Sequence, residues 1–148
     1  MIFTVREAIP SDILAMHRVR LAVRENRLSV LLSIDEGSYR PFLEDHGLGW
    51  VAESAGAVIG FAIVDLAQAN VWALFVDPDG EARGVGRALQ DRLLLGAAER
   101  GVTRLWLTTM PGTRAERFYE AAGWSRAGMV QGEIRFERDV GAGIFRTG

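Results

Sequence analysis

The chain has 148 residues and a formal net charge of -2, with 49% hydrophobic and 24% charged residues, which is the length and composition of one folded domain over 1–148 and not of a disordered segment. It contains no cysteine and only two histidines, His17 and His46, which excludes a disulfide scaffold, a thiolate zinc site and a cysteine nucleophile and leaves no metal site expected. All 17 basic residues are arginine, so no lysine amine exists for Schiff-base chemistry, and the near-neutral balance supplies no field to gather nucleic acid or an anionic membrane.

Residues 2–6 alternate in polarity and predict a first strand, ended by Pro10 and the capping pair Ser11 and Asp12. A helix is expected over 13–26, with Arg20 and Arg24 one turn apart on one face, and a second, shorter helix over 33–46, with Tyr39, Phe42 and Leu43 on it and Gly47 as its stop. Apolar runs at 49–54 and 57–65 flank Ala55-Gly56 and predict an antiparallel hairpin; a strand over 71–76 follows and is closed by Asp77-Pro78-Asp79-Gly80. Val85, Leu89, Leu93 and Ala97 then recur at helical spacing over 85–100. A strand at 104–108, a helix at 113–122 and two last strands at 124–130 and 133–138 complete the order, and the tail from Asp139 is expected to be loosely ordered. Three consecutive strands joined by short turns must be antiparallel, while a helical crossover permits a parallel neighbour. The expected fold is therefore α+β, a mixed and mostly antiparallel central sheet flanked by about four helices. Residues 1–8 lack the apolar run of a secretion signal and no stretch approaches the roughly 20 apolar residues of a membrane span, so a cytoplasmic protein without membrane contact is expected.

The segment from Leu74 to Leu89 carries the chemistry. A strand ends, a loop follows and a helix opens at Gly84 and Gly86, so unpaired backbone N–H groups and the positive end of the helix dipole face one point. An anion such as a phosphate or pyrophosphate fits there: the glycines allow close approach, and Arg83 and Arg87 can add charge-assisted contacts. A P-loop is excluded because no Gly-Lys-Ser/Thr exists. A dinucleotide fingerprint would need its third glycine at Leu89, and the preceding strand reads as part of an antiparallel meander. The competing structural explanation is that the glycines only let a helix pack on a strand.

Val76-x-Pro78 followed by Glu81-Ala82-Arg83-Gly84-Val85-Gly86 resembles the pyrophosphate motif of the GNAT family of N-acetyltransferases, Arg/Gln-x-x-Gly-x-Gly/Ala. About 30 residues on, Ala115-Glu116-Arg117-Phe118-Tyr119 through Gly123-Trp124 resembles that family's Ala-x-x-Phe/Leu-Tyr-x-x-x-Gly-Phe/Trp helix. Glu81 stands where the family favours Arg or Gln, and Gly112 where an Asn is frequent; Thr113 with Glu116 forms a capping box that can start the last helix without it. The resemblance implies acetyl-CoA as cosubstrate, no metal, and direct acetyl transfer to a primary amine of a small molecule or peptide. It implies a cofactor site at Phe75, Val76, Glu81, Ala82, Arg83, Gly84, Val85, Gly86, Arg87, Gly112, Arg114 and Phe118, and Tyr119 as the general acid. Backbone N–H groups at the splayed end of the 71–76 strand would hold the oxyanion.

That strand, Val71-Trp72-Ala73-Leu74-Phe75-Val76, has no carboxylate where relatives often carry a base, and Glu25, Glu53, Asp65 and Glu133 stand as candidates. On the acceptor side, Arg20, Arg24, Trp72 and Thr108 are the expected contacts, with Trp106 and Thr109 flanking the cleft; arginines there would suit an acceptor bearing a carboxylate or phosphate. The alternative function is a non-catalytic acyl-CoA-binding sensor or interaction domain on the same fold, and a homodimer is compatible with either.

Overall fold

Ala55 and Gly56 take left-handed backbone angles, φ 52° and 80°, the pair that a tight two-residue hairpin requires, and they join strand β2 (Gly47–Ser54) to β3 (Ala57–Asp65). The structure, a computed structural model, describes residues 2–23, 34–80 and 83–141. Around the hairpin lie β1 (Thr4–Glu7), β4 (Asn70–Val76), β5 (Arg104–Thr109), β6 (Ser125–Val130) and β7 (Glu133–Asp139), with helices α1 (Ile13–Ala22), α2 (Val85–Glu99) and α3 (Arg114–Ala121). The seven strands form one mixed sheet in the order β1-β2-β3-β4-β5-β7-β6, antiparallel except where β4 meets β5. The expected architecture is observed, and β4-α2-β5 is a parallel crossover unit. The meander argument against a dinucleotide fold is thus corrected: Leu89 remains the objection, a buried side chain where a third glycine would stand.

Helices α2 and α3 cover one face, where Leu89, Leu93, Leu105, Leu107, Ile134 and Phe136 form the larger core. On the other face α1 and the 34–46 segment bury Met16, Val19, Tyr39, Phe61 and Ile63. That second cover reaches β2, β3 and β4 only. The same face of β5 and β7 carries a ladder of ion pairs, Arg104 with Glu137 and Asp139 and Arg135 with Glu137, and β6 is exposed along its whole length.

Four sequence expectations change. Helix α1 ends at Ala22 with Val23 already extended, and residues 24–33 fall outside the described part of the chain. Asp12 does not cap α1; its carboxylate instead takes two 2.9 Å bonds from the Arg6 guanidinium and one of 2.8 Å from the Ile9 amide. The single helix expected over 33–46 is a 3₁₀ turn, Glu36–Ser38, and a π-helical turn, Phe42–His46. Gly47 is the first residue of β2, in extended conformation, and not a left-handed helix stop. The glycine-rich tail from 142 lies outside the described residues.

The Arg6 bonds hold the buried Asp12 carboxyl below the usual carboxylate range, more strongly than burial pushes it up. A group with a depressed folded-state pKa stabilises the fold above its unfolded pKa, about 3.9, and loses that contribution as pH falls through the folded value. Asp12→Ala is therefore expected to cost about 1–3 kcal/mol at pH 7. In urea titrations the gap from the wild type should close below about pH 4; a gap unchanged at pH 2.5 would assign the loss to packing.

Candidate functional site

Strands β4 and β5 share one registered pair, Asn70 with Trp106, and then part. The junction is clamped by Asn70 Nδ2 donating to the Trp106 carbonyl (3.2 Å), Trp106 N to the Ala69 carbonyl (3.0 Å) and Trp106 Nε1 to the Gln68 carbonyl (2.9 Å). Beyond it the facing backbone edges of Leu74–Val76 and Thr108–Thr109 lack a strand partner, and a cleft of about 670 Å³ opens between them. Strand β4 also carries a bulge on its β3 side. Ile63 pairs with Ala73 but Val64 with Val71, so Trp72 is the extra residue. It consequently shares a face with Ala73 and Phe75, while Val71, Leu74 and Val76 face α2.

On the α2 face, Gly84 is the N-cap of the helix at φ +82°, and nothing lies within 4 Å of where its Cβ would be. A Cβ on Gly86 would meet Phe118 at 3.4 Å and Val76 at 3.7 Å. Gly84, Gly86 and Arg87 line the cleft together with Val76, Arg114, Phe118 and Tyr119. Helix α3 is set against this wall by its cap. Thr113 Oγ1 accepts from Glu116 N (3.2 Å), the Glu116 carboxylate accepts from Gly112 N (2.6 Å), and Arg126 pairs with Glu116 and Glu120. The expected capping box is present with its return bond one residue earlier, on Gly112 instead of Thr113. At the far end Trp124 Nε1 donates to Gln90 Oε1 (3.0 Å), tying the start of the last hairpin to α2.

Tyr119 is 6% exposed and packs edge-on to Phe118 and Trp124. It forms part of the cleft wall, and among the described residues no protein group hydrogen-bonds its hydroxyl. Burial alone pushes the phenol far above its ordinary range.

The opposite face of the cleft is aromatic and polar. Arg20, 3% exposed, holds its guanidinium 4.4 Å from the Trp72 ring centre and 4.9 Å from that of Phe75. The Arg20 guanidinium also lies 5.4 Å from the Tyr39 ring centre, and the Tyr39 hydroxyl lies 3.0 Å from His17 Nδ1; burial pushes the Tyr39 phenol up to about 12 and pulls Arg20 down. Phe42 stacks on Trp72 at 4.3 Å. Thr108, Trp106, Thr109 and Glu133 complete this side.

The sequence-derived set divides accordingly. Val76, Gly84, Gly86, Arg87, Arg114, Phe118 and Tyr119 meet on the α2 side, and Arg20, Trp72 and Thr108 on the other. Phe75 lines the cleft, and its ring packs on Phe61 and Arg20, on the face opposite α2. Arg83 is exposed and outside the cleft wall, the Val85 side chain is in the core, and Gly112 is in the turn before α3 with its amide engaged by Glu116. Glu81, Ala82, Arg24 and Glu25 lie outside the described residues. Of the proposed bases, Glu53 pairs with Arg6 at the far edge of the sheet and Asp65 holds the Ala67 and Gln68 amides of the β3–β4 turn; Glu133 lines the cleft. Asn70, Gly80 and Ala115 also line it and are not among the site residues expected from the sequence; the Asn at the start of β4 is a turn signal whose clamp depends on a strand 36 residues away.

Residues 14–124 match the Acetyltransferase (GNAT) family. The chain is 37% identical over 75 residues to the [ribosomal protein bS18]-alanine N-acetyltransferase of Escherichia coli, covering 49% of this chain and 51% of that protein. It is 34% identical over 87 residues to the mycothiol acetyltransferase of Beutenbergia cavernae, covering 55% and 29% respectively. The matches span about half the length of the first of these relatives and less of the second. Among solved structures, the PaiA N-acetyltransferase of Thermoplasma acidophilum in complex with coenzyme A superposes with a TM-score of 0.81 at 13% identity, over 94% of this chain and 99% of that one. The Escherichia coli ribosomal-protein alanine N-acetyltransferase gives 0.78 at 21% identity, over 95% of each. With the family match extending over three quarters of the sequence, the chain belongs to the GNAT acetyltransferase family.

Proposed function

We propose that the protein is an acetyl-CoA-dependent N-acetyltransferase that transfers an acetyl group to a primary amine of a small molecule or peptide by direct attack. One observation carries this reading. The sheet parts between β4 and β5, so a ligand held at the start of α2 on one face can present its end, through the gap, to a nucleophile on the other. The α2 side suits a pyrophosphate: a helix N-terminus with no Cβ at Gly84 or Gly86, flanked by Arg87 and Arg114 on the same wall. Acetyl-CoA bound there supplies an activated thioester. The chain supplies unpaired backbone groups along Leu74–Val76 for the developing oxyanion, and the Tyr119 hydroxyl for the departing sulfur. The relatives, a ribosomal protein alanine N-acetyltransferase and a mycothiol acetyltransferase, support either a peptide or a small acceptor.

The test is thermal unfolding with acetyl-CoA on the wild type and Gly84→Asp. A ligand that binds only the folded state stabilises it by roughly 2.7 kcal/mol at about 100 times its Kd. The left-handed position tolerates Asp better than most residues, so the variant should fold, with a side chain and negative charge in the anion position. The expected result is a clear rise in Tm for the wild type and little or none for Gly84→Asp. No rise at millimolar acetyl-CoA in the wild type would overturn the proposal.

A further inference from the structure

Residues along β7 alternate between the two faces of the sheet. Ile134 and Phe136 are buried against α2 and α3, so Glu133 and Arg135 project to the opposite face, the one that carries Trp72, Phe75 and Arg20. Glu133 is half-buried and lines the cleft, and it is the only carboxylate among the described lining residues, where the charged side chains are otherwise Arg20, Arg87 and Arg114. Its backbone pairs with Val130, but its carboxylate makes no hydrogen bond or ion pair among the described residues. The nearest strand neighbour of like position, Arg135, is engaged elsewhere: it donates to Glu137 at 2.9 Å and lies 4.5 Å over the Trp106 ring. A carboxylate on the face of the sheet that also carries Trp72 and Trp106, in a cleft that all three line, attracts a cation that carries apolar surface.

We propose that Glu133 receives the acceptor as its ammonium form and takes the proton that must leave before attack, and that the acceptor class is a primary amine beside an aromatic or apolar group. This rests on the acetyltransferase reading above. The ammonium N–H bond breaks and its proton passes to a Glu133 oxygen, directly or through one water. The freed nitrogen lone pair forms the C–N bond with the thioester carbonyl carbon, and the C–S bond breaks. The sulfur takes a proton from Tyr119, which regains one from the new amide nitrogen, and Glu133 releases its proton to solvent. The sum is an amide, a thiol and one proton.

The probes are 2-phenylethylamine, mostly ammonium at pH 7, and O-benzylhydroxylamine, which has the same shape with oxygen in place of a methylene and is already neutral. Each is titrated by calorimetry into the CoA-saturated wild type and Glu133→Gln, and each is assayed for acetylation. Glu133→Gln is expected to weaken binding of 2-phenylethylamine about tenfold and lower its kcat/KM by about 10²-fold or more, with changes under about threefold for O-benzylhydroxylamine. Equal losses for both probes would make Glu133 a structural residue and overturn the proposal, as would unchanged binding of 2-phenylethylamine or its failure to bind the wild type at 10 times millimolar concentration, on the order of the weakest affinity worth testing. Acetyl-CoA stabilisation is recorded on both proteins: its absence from the wild type sinks the acetyltransferase reading, whereas its presence with failed amine arms sinks the Glu133 assignment alone.

Discussion

Tyr119→Phe is expected to lower kcat about 10²- to 10³-fold while leaving the unfolding midpoint and acetyl-CoA stabilisation nearly unchanged. The ring packs against Phe118 and Trp124 with centroids 5.2 and 5.5 Å away, contacts that Phe keeps. The hydroxyl has no protein partner among the described residues, so its removal orphans no group and stability should be neutral or slightly improved. In the proposed reaction, what is lost is the proton for the sulfur. Burial raises this phenol above its ordinary value of about 10, which keeps it protonated throughout neutral pH and makes a free phenolate costly. A thiol near pKa 8.5 is the stronger acid, so the transfer from Tyr119 to sulfur is uphill unless the tyrosine recovers a proton from the amide nitrogen in the same event. It follows that no limb of the kcat profile up to about pH 10 should belong to Tyr119. Steady-state rates with saturating acetyl-CoA across pH 6–10 check both statements; a variant as fast as the wild type would reduce Tyr119 to a packing residue.

Why the α2 half of the cleft was legible, and the acceptor half less so, has a physical reason. Gly84, Gly86 and Arg87 act through local geometry, a strand, a loop and a helix start within one short segment, and the Thr113 cap and Tyr119 lie within another. Short-range chemistry of that kind is written in adjacent residues. Trp72 is different. Strict alternation would put it on the face of Leu74 and Val76, toward α2; the bulge opposite Ile63 and Val64 moves it beside Phe75 on the acceptor face. No pattern in residues 70–76 announces the bulge, because it is set by registration with β3. Phe75 is similar: its position next to the motif says nothing about which face its ring takes, and the ring packs on Phe61 and Arg20. Glu133 could be proposed as one carboxylate among four, but choosing it needs β7 inserted between β5 and β6, a long-range pairing. The 33–46 segment misled because its apolar residues serve as a lid on Trp72 and Phe61 and not as one helix face.

That lid depends on Gly47, and Gly47→Ala should damage the fold by a single methyl. The residue has ordinary extended backbone angles, so the demand is for space. An added Cβ would lie 2.6 Å from the Val64 carbonyl oxygen and 2.8 Å from that of Phe42, both backbone atoms that no rotamer change can move. The Leu66 amide bonds the His46 carbonyl at 2.8 Å, which pins the same corner to the end of β3. Overpacking of this kind costs about 2–3 kcal/mol, and in a chain of this length lowers Tm by roughly 4–10 °C. Relief can come from one direction, withdrawal of the Phe42–His46 turn from β3, and that turn carries the Phe42 ring stacked 4.3 Å from Trp72. The loss should therefore be unequal across the sheet: a raised KM for the amine as the Trp72 wall loosens, with acetyl-CoA stabilisation at α2 retained. Differential scanning calorimetry with and without acetyl-CoA, followed by steady-state assays on both substrates, separates these effects. A Tm within 1 °C of the wild type, against the several degrees expected from about 2 kcal/mol, would mean that the corner yields without strain and that the lid is not held by this contact.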